Sequence, residues 1–347
     1  MDDAPLSSVA DIGTWYRSIQ DFAYKLGHVP LVYDTQPSFS TMQPRVWLVT
    51  GASSGFGRLV TEIALAQGDI VVATLRTPSM LAGLVEATNL KHPTQPPRLL
   101  TLKCDVTKPE DVRFVFAQTV KTYGQCDVVF NNAGWAMFCE AENPVQDEAA
   151  RGVFETNFWG AVQVSREAVK VFRDMNPMGT GGVLLNMSST SGFAPWPGFG
   201  FYAASKFALE GFTEALALEL DPAWNIRVTI LEPGLFETPI ITKSKGYPPL
   251  PEYTHKPDLP VNVLRHNFFS APETLDMGDA HLAMERVVQC ALLPDPPLRF
   301  VLGRDAIAAA KRKLELLGKE VEKYEKWSDN LYPGVKSQRG SSDSGLA

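Results

Sequence analysis

The segment Thr50-Gly51-Ala52-Ser53-Ser54-Gly55-Phe56-Gly57 constrains this chain more than any other. It follows an apolar run, Val46 to Val49, and opens the stretch RLVTEIALAQG, where Leu59, Val60, Ile63 and Ala64 share one helical face before Gly68 supplies a stop. Glycines at GxxxGxG spacing let a strand-to-helix turn tighten, let backbone N–H groups approach a bound group, and let helix and strand pack closely. The helix N-terminus adds partial positive charge, so the turn suits a pyrophosphate. Alone, the segment would also suit a Gly/Ser-rich connection; its place between strand and helix favours a dinucleotide.

The rest of the chain up to about Thr238 repeats this alternation. Strand-like runs lie at Ile70 to Leu75, Leu99 to Cys104, Val128 to Phe130, Val183 to Met187 and Arg227 to Leu231, and helical stretches begin near Arg58, Pro109, Ala149 and Tyr202. Such alternation implies right-handed βαβ crossovers and a parallel sheet with helices on both faces: an α/β, Rossmann-type, doubly wound single domain. Ligands of such sheets bind beyond the carboxyl ends of the strands.

The length of 347 residues would admit two domains, but the pattern assigns them to one domain with additions. Residues 1–44 form an N-terminal extension with a short amphipathic helix around Thr14 to Leu26, and residues 45–327 the catalytic domain. Within it, residues 239–282 carry seven prolines, which argues against long regular elements and marks an excursion off the sheet. ALLPDPPLRFVLG reads as a helix end and a last strand, DAIAAAKRKLELLGKEVEKYEKW as a helix of mixed charge, and residues 328–347 as a disordered tail.

Composition removes several function classes. Lys plus Arg total 32 against 39 Asp plus Glu, a net charge of -7, so no basic field exists to hold nucleic acid. The four cysteines form no CxxC pair and read as reduced thiols, which fits a cytoplasmic protein. The five histidines never fall at metal-ligand spacing. Neither a secretion signal nor an apolar run long enough for a membrane span is present.

Chemistry concentrates in the turns. The second strand ends Thr74-Leu75-Arg76 with no carboxylate for a ribose hydroxyl. Arg76 suits a 2′-phosphate, favouring NADP(H) over NAD(H), unless it is simply a solvated strand-end cation. Tyr202 and Lys206, at i and i+4, share a helical face. A nearby cation favours phenolate, so Lys206 is expected to bring Tyr202 down towards working pH. Ser189, in a cluster ending the fifth run, could polarise a carbonyl. Taken singly, a Tyr-x-x-x-Lys pair more often belongs to an exposed helix and a Ser/Thr cluster ending a strand more often to ordinary turn chemistry. No GxSxG elbow or histidine base accompanies the serines, against a hydrolase.

The glycine turn, Asn131-Asn132-Ala133-Gly134, Asn157, Ser189, Tyr202 with Lys206, and Pro233-Gly234-Leu235-Phe236-Glu237-Thr238 occur in the order of the short-chain dehydrogenase/reductase superfamily. The chain resembles a single-domain member near the steroid-dehydrogenase-like carbonyl reductases, similar to many fungal examples. The likeness runs from Arg45 to Thr238 and, more weakly, to Trp327. It implies that Gly51, Ser53, Ser54, Gly55, Phe56 and Gly57 hold the pyrophosphate side of NADP(H), with Ser54 and Arg76 on the 2′-phosphate. By the same likeness Asp105 contacts adenine, and Asn132, Ala133 and Gly134 flank the ribose. Pro233, Gly234, Phe236 and Thr238 seat the nicotinamide. Lys206 bridges the nicotinamide ribose, Asn157 holds a relay water, Ser189 binds the substrate oxygen, and Tyr202 exchanges its proton. A cofactor-sensing protein without turnover is the alternative on this scaffold. An epimerase of the extended branch would carry GxxGxxG instead.

Trp135, Met137, Phe138, Phe193, Trp196, Phe199 and Phe201 flank these motifs and, with the excursion, point to an apolar, bulky ketone or alcohol as substrate. Family members often pair the helices beginning near Ala149 and Tyr202 into homodimers or homotetramers, and no feature here decides the number.

Overall fold

Seven strands form one parallel sheet: β1 Val46–Thr50, β2 Ile70–Leu75, β3 Leu99–Lys103, β4 Val128–Asn131, β6 Gly182–Met187, β7 Ile226–Pro233 and β9 Arg299–Leu302, in the order β3-β2-β1-β4-β6-β7-β9. This computed structural model describes residues 43–93, 95–143, 147–240, 244–329 and 331. The expectations for the N-terminal extension up to residue 42, and for nearly all of the 328–347 tail, lie outside them.

The sheet explains why the strands read as continuous apolar runs: both faces are covered. Along β1, Trp47 and Val49 enter one core with Val71, Phe130 and Leu185, while Leu48 enters the other with Val129, Phe116 and Phe172. Helices α1 (Gly55–Ala66) and α8 (Ala280–Ala291) cover the first face with Val60, Ile63, Met284 and Val287. The second face is covered by α3 (Pro109–Tyr123), α5 (Ala161–Asp174) and α6 (Gly200–Glu219). Strand order reverses between β1 and β4, which pair in parallel from Trp47↔Val128 to Val49↔Phe130. A crevice therefore opens where the glycine turn and the Asn-Asn-Ala-Gly turn leave the sheet.

Three elements depart from the sequence expectations. Helix α2 (Ala82–Lys91) was not marked by periodicity because none of its side chains is fully buried; Leu84 and Val85 only lean on the first core. Helix α4 (Asp147–Phe154) runs into α5 through a π turn, Glu155–Gly160. The proline-rich excursion contains a ten-residue helix, α7 (Pro260–Phe269), contrary to the expectation of no long regular element. Its proline stands in the first turn, where a missing N–H breaks no bond, and Val261 and Phe268 bury its inner face. A two-residue parallel pairing of β5 (Met137–Phe138) with β8 (Lys245–Gly246) ties the excursion to the segment after β4. Last comes α9, Arg304–Tyr324.

Candidate active site

The glycine turn is built from backbone that side chains would obstruct. Gly51 and Gly55 lie at φ +67° and +56°, where residues with a Cβ are strained. A Cβ on Gly57 would overlap the Gly51 carbonyl oxygen, so glycine there lets α1 start against the end of β1. The neighbouring turn is locked to it. Asn132 Nδ2 donates to the Thr50 carbonyl at 2.9 Å, and the Thr50 hydroxyl accepts from the backbone N–H groups of Asn132 and Ala133 at 2.9 and 3.0 Å. Asn132 thus braces two turns.

A single cavity of about 910 Å³ extends from here across the carboxyl ends of the strands. Gly51, Ser53, Ser54, Gly55, Phe56, Arg76, Asp105 and the Asn132–Gly134 turn line one end. Ser189, Tyr202, Lys206, Pro233, Gly234, Phe236 and Thr238 line the cavity as well, with Thr238 next to Gly55 and Lys206 next to Gly134. Of the cofactor-binding and catalytic residues singled out from sequence, only Gly57 and Asn157 are absent from the lining. Arg76 is exposed and makes no ion pair among the described residues, whereas Leu75 beside it is buried. The Asp105 carboxylate accepts from the Thr107 backbone and hydroxyl at 3.1 and 2.8 Å, which orients this turn.

Asn157 sits fully buried in the π turn, a local widening of the kind often met at functional positions. Its Oδ1 accepts from the Trp135 N–H at 3.0 Å, and its Nδ2 donates to the Trp135 carbonyl at 2.9 Å and to Ser205 Oγ at 3.2 Å. It fixes the Gly134–Trp135 backbone at the cavity wall.

Ser189, just past β6, accepts the Ser191 N–H at 3.1 Å and lies within hydrogen-bonding reach of the Tyr202 hydroxyl. Lys206 Nζ donates to the Met187 carbonyl at 2.7 Å and sits 5.8 Å from the Tyr202 ring centre. Burial holds the ammonium down to about 8, with Glu210 opposing. The expectation that Lys206 lowers Tyr202 needs correction: burial pushes the phenol above its ordinary value, and the opposing influence is the Ser189 hydrogen bond. The ammonium is held over the ring by its bond to the Met187 carbonyl.

Behind Lys206 lies a network that local motifs did not reveal. Glu210, one helical turn on, accepts from the Ser188 hydroxyl at 2.5 Å and from Arg299 at 2.8 Å. Arg299, at the start of β9, also bonds Glu214 and Glu232. Burial raises both Glu210 and Glu232, the latter to about 7. Asp305 was missed as well: it accepts the Leu235 N–H at 2.7 Å and, packed over Gly234, holds the Pro-Gly loop from the start of α9. These partners are separated by dozens of residues, so only the composition of single strands could have hinted at them.

The far end of the cavity is apolar. Trp135, Trp196 and Phe199 line it as expected, joined by Leu235, Ile240 and Phe268, whereas Met137, Phe138, Phe193 and Phe201 do not. Met137 and Phe138 are instead buried behind the wall. Phe138 packs edge-to-face on Phe199 at 5.0 Å and under the Arg265 guanidinium at 4.9 Å. Arg265, on α7, pairs with the buried Glu140 and donates to the Tyr247 carbonyl, clasping the excursion to the segment after β4.

The four cysteines are buried free thiols. Among the described residues no His/Cys/Asp/Glu group is placed to hold a metal, and no helix is long and apolar enough to cross a membrane.

Comparison with known proteins supplies an independent reading. Residues 45–246 match the family described as short chain dehydrogenase. The chain is 33% identical over 286 residues to an uncharacterised oxidoreductase of Schizosaccharomyces pombe, spanning 82% of this chain and 89% of that one. It is 33% identical over 282 residues to the oxidoreductase calM of Penicillium decumbens, spanning 80% and 89%. The crystal structure of a short-chain dehydrogenase from Streptomyces avermitilis superposes with a TM-score of 0.71 at 32% identity, covering 83% of this chain and 98% of that one.

Proposed function

Because the chain belongs to the short-chain dehydrogenase family, we propose that it is an NADP(H)-dependent oxidoreductase acting on a carbonyl or secondary alcohol of an apolar substrate. One observation carries this reading: Ser189, Tyr202 and Lys206 share a cavity with the glycine turn, so a proton-transfer group and a phosphate cradle face the same space.

The residues fit a nicotinamide dinucleotide. A Cβ on Gly55 would narrow the slot towards Thr238 and Pro239, at 3.8 and 3.6 Å, and one on Gly134 would come within 3.6 Å of Lys206 Nζ. Arg76, exposed at the cavity edge and without an ion pair among the described residues, supports NADP(H) over NAD(H), since its guanidinium can hold a 2′-phosphate by charge-assisted bonds. Bound in this cleft, the cofactor supplies or accepts the hydride.

The chain's own groups handle the oxygen. Ser189 binds the substrate oxygen, and Tyr202 gives it a proton as the carbonyl carbon becomes an alcohol carbon; oxidation runs the same transfers backwards. Burial raises the phenol above its ordinary value, so near neutrality Tyr202 carries the proton it would give. Lys206 keeps a positive charge beside the ring, and Asn157 keeps the Gly134–Trp135 wall in place. The aromatic end excludes water from the reacting carbonyl and accounts for an apolar substrate.

The test is NADPH oxidation by the full chain across a panel of bulky apolar ketones. Tyr202→Phe is expected to lower turnover by about 10²- to 10⁴-fold with NADPH affinity unchanged. Turnover within about threefold of the wild type would remove Tyr202 from the mechanism. NADPH binding without oxidation of any panel member would favour the sensing alternative.

A further inference from the structure

The last helix carries a surface that the cavity chemistry does not use. Ile307, Ala310, Leu314, Leu317, Val321 and Tyr324 follow one another in alternating steps of three and four, the a and d positions of three successive heptads. In α9 only Ala306 is buried, and every residue from Lys311 to Tyr324 is exposed, with Leu314 at 70% and Val321 at 60%. Among the described residues no element buries Leu314, Leu317 or Val321, and helices in proteins draw most of their stability from packing an apolar face, so the stripe calls for a partner helix.

The flanking charges say which partner. Lys313 and Glu320 occupy successive g positions, and Lys311, Gly318 and Glu325 the e positions. In a parallel pair of identical helices, Glu320 would face Glu325 of the other copy, and Lys313 would face Gly318. In an antiparallel pair, Leu314 layers on Leu317, Ala310 on Val321 and Ile307 on Tyr324, and Lys313 of each copy meets Glu320 of the other along one edge of the pair, while Lys311 meets Gly318 along the other. The outer positions fit the same orientation: Arg312, Lys319 and Lys326 at f stay in solvent, and Glu315 and Lys319 already pair along the helix at 2.5 Å. The stripe is self-complementary, as a two-fold interface requires.

We propose that α9 joins two copies of this chain as an antiparallel coiled coil. This contact is separate from the faces of α4, α5 and α6 and from the cavity, so it stands whatever the cofactor. Because α9 begins at Asp305, which holds the Leu235 N–H, the pairing helix and the Pro-Gly loop share one anchor.

Light scattering of the full chain at micromolar concentration tests it. The wild type is expected to be an even-numbered assembly. Leu314→Glu with Leu317→Glu is expected to halve its mass while leaving NADPH affinity unchanged. Lys313→Glu alone should weaken association several-fold, and adding Glu320→Lys should restore it, because the exchanged charges meet again across an antiparallel pair. A monomeric wild type, or a mass unchanged by the leucine double substitution, overturns the proposal; the second result is expected if another segment of the same chain covers the stripe. Insensitivity to Lys313→Glu overturns the antiparallel arrangement.

Discussion

The two ends of the cavity are built on different principles. The cofactor end is made of turns that leave β1, β2, β3 and β4, each within a few residues of a strand whose position is fixed by pairing in the sheet. The substrate end gathers Trp135, Trp196, Leu235 and Phe268 from four distant segments, held by a two-residue strand pairing, aromatic packing and the Glu140–Arg265 clasp. The first is rigid because backbone bonds specify it. The second rests on side chains, so it can be reshaped by substitutions that leave the sheet intact. This is a physical reason for one fold to serve many substrates with one cofactor.

If this contrast is right, breaking the clasp should separate the two ends. Glu140→Ala leaves the Arg265 charge half-buried without its partner and is expected to cost about 3 kcal/mol in urea unfolding. In the variant that remains folded, KM for a ketone should rise while NADPH affinity stays near the wild-type value; a parallel loss of both would show that the two ends are mechanically one. Next in size, Arg76→Leu should weaken NADPH by about 2 kcal/mol, roughly thirtyfold, and leave NADH little changed. Equal losses in fluorescence titrations with the two cofactors would remove Arg76 from the phosphate site.

The smallest expected effect concerns the support behind Lys206. Burial raises the Glu232 carboxyl from 4.5 to about 7 in the folded chain. Between those values the folded protein holds a proton that the unfolded chain releases, so this group's stabilising contribution is full below the lower value and is lost as pH rises through the higher. Thermal melts should show Tm falling by a few degrees between roughly pH 5 and pH 8, with Glu232→Gln flattening the slope. A slope unchanged by Glu232→Gln would assign the dependence to other groups.

The cofactor end was legible in the sequence because its constraints are local. Positive φ at Gly51 and Gly55, and the close approach at Gly57, demand glycine at fixed spacing, and the apolar runs announce strands buried on both faces. Tyr202 and Lys206 were legible for a similar reason, since one helical turn brings them to one face. Helix α7 was hidden because its prolines dominated the pattern, although Pro260 stands where a helix accepts proline. Helix α2 was hidden because a helix that buries no side chain fully leaves no hydrophobic period to read.

The sequence by itself determined the sheet, the glycine turn, the placing of Tyr202 and Lys206 on one helical face and the last helix, all of which follow from periodicities and spacings within one or two elements. Only the tertiary structure decided which aromatics reach the cavity, what holds Lys206 from behind, and that the phenol is raised rather than lowered. Each of those depends on burial and on partners far apart in the chain, such as Glu210 with Arg299 and Asp305 with Leu235, and the strength of a charge or hydrogen bond is set by the surroundings that folding brings together.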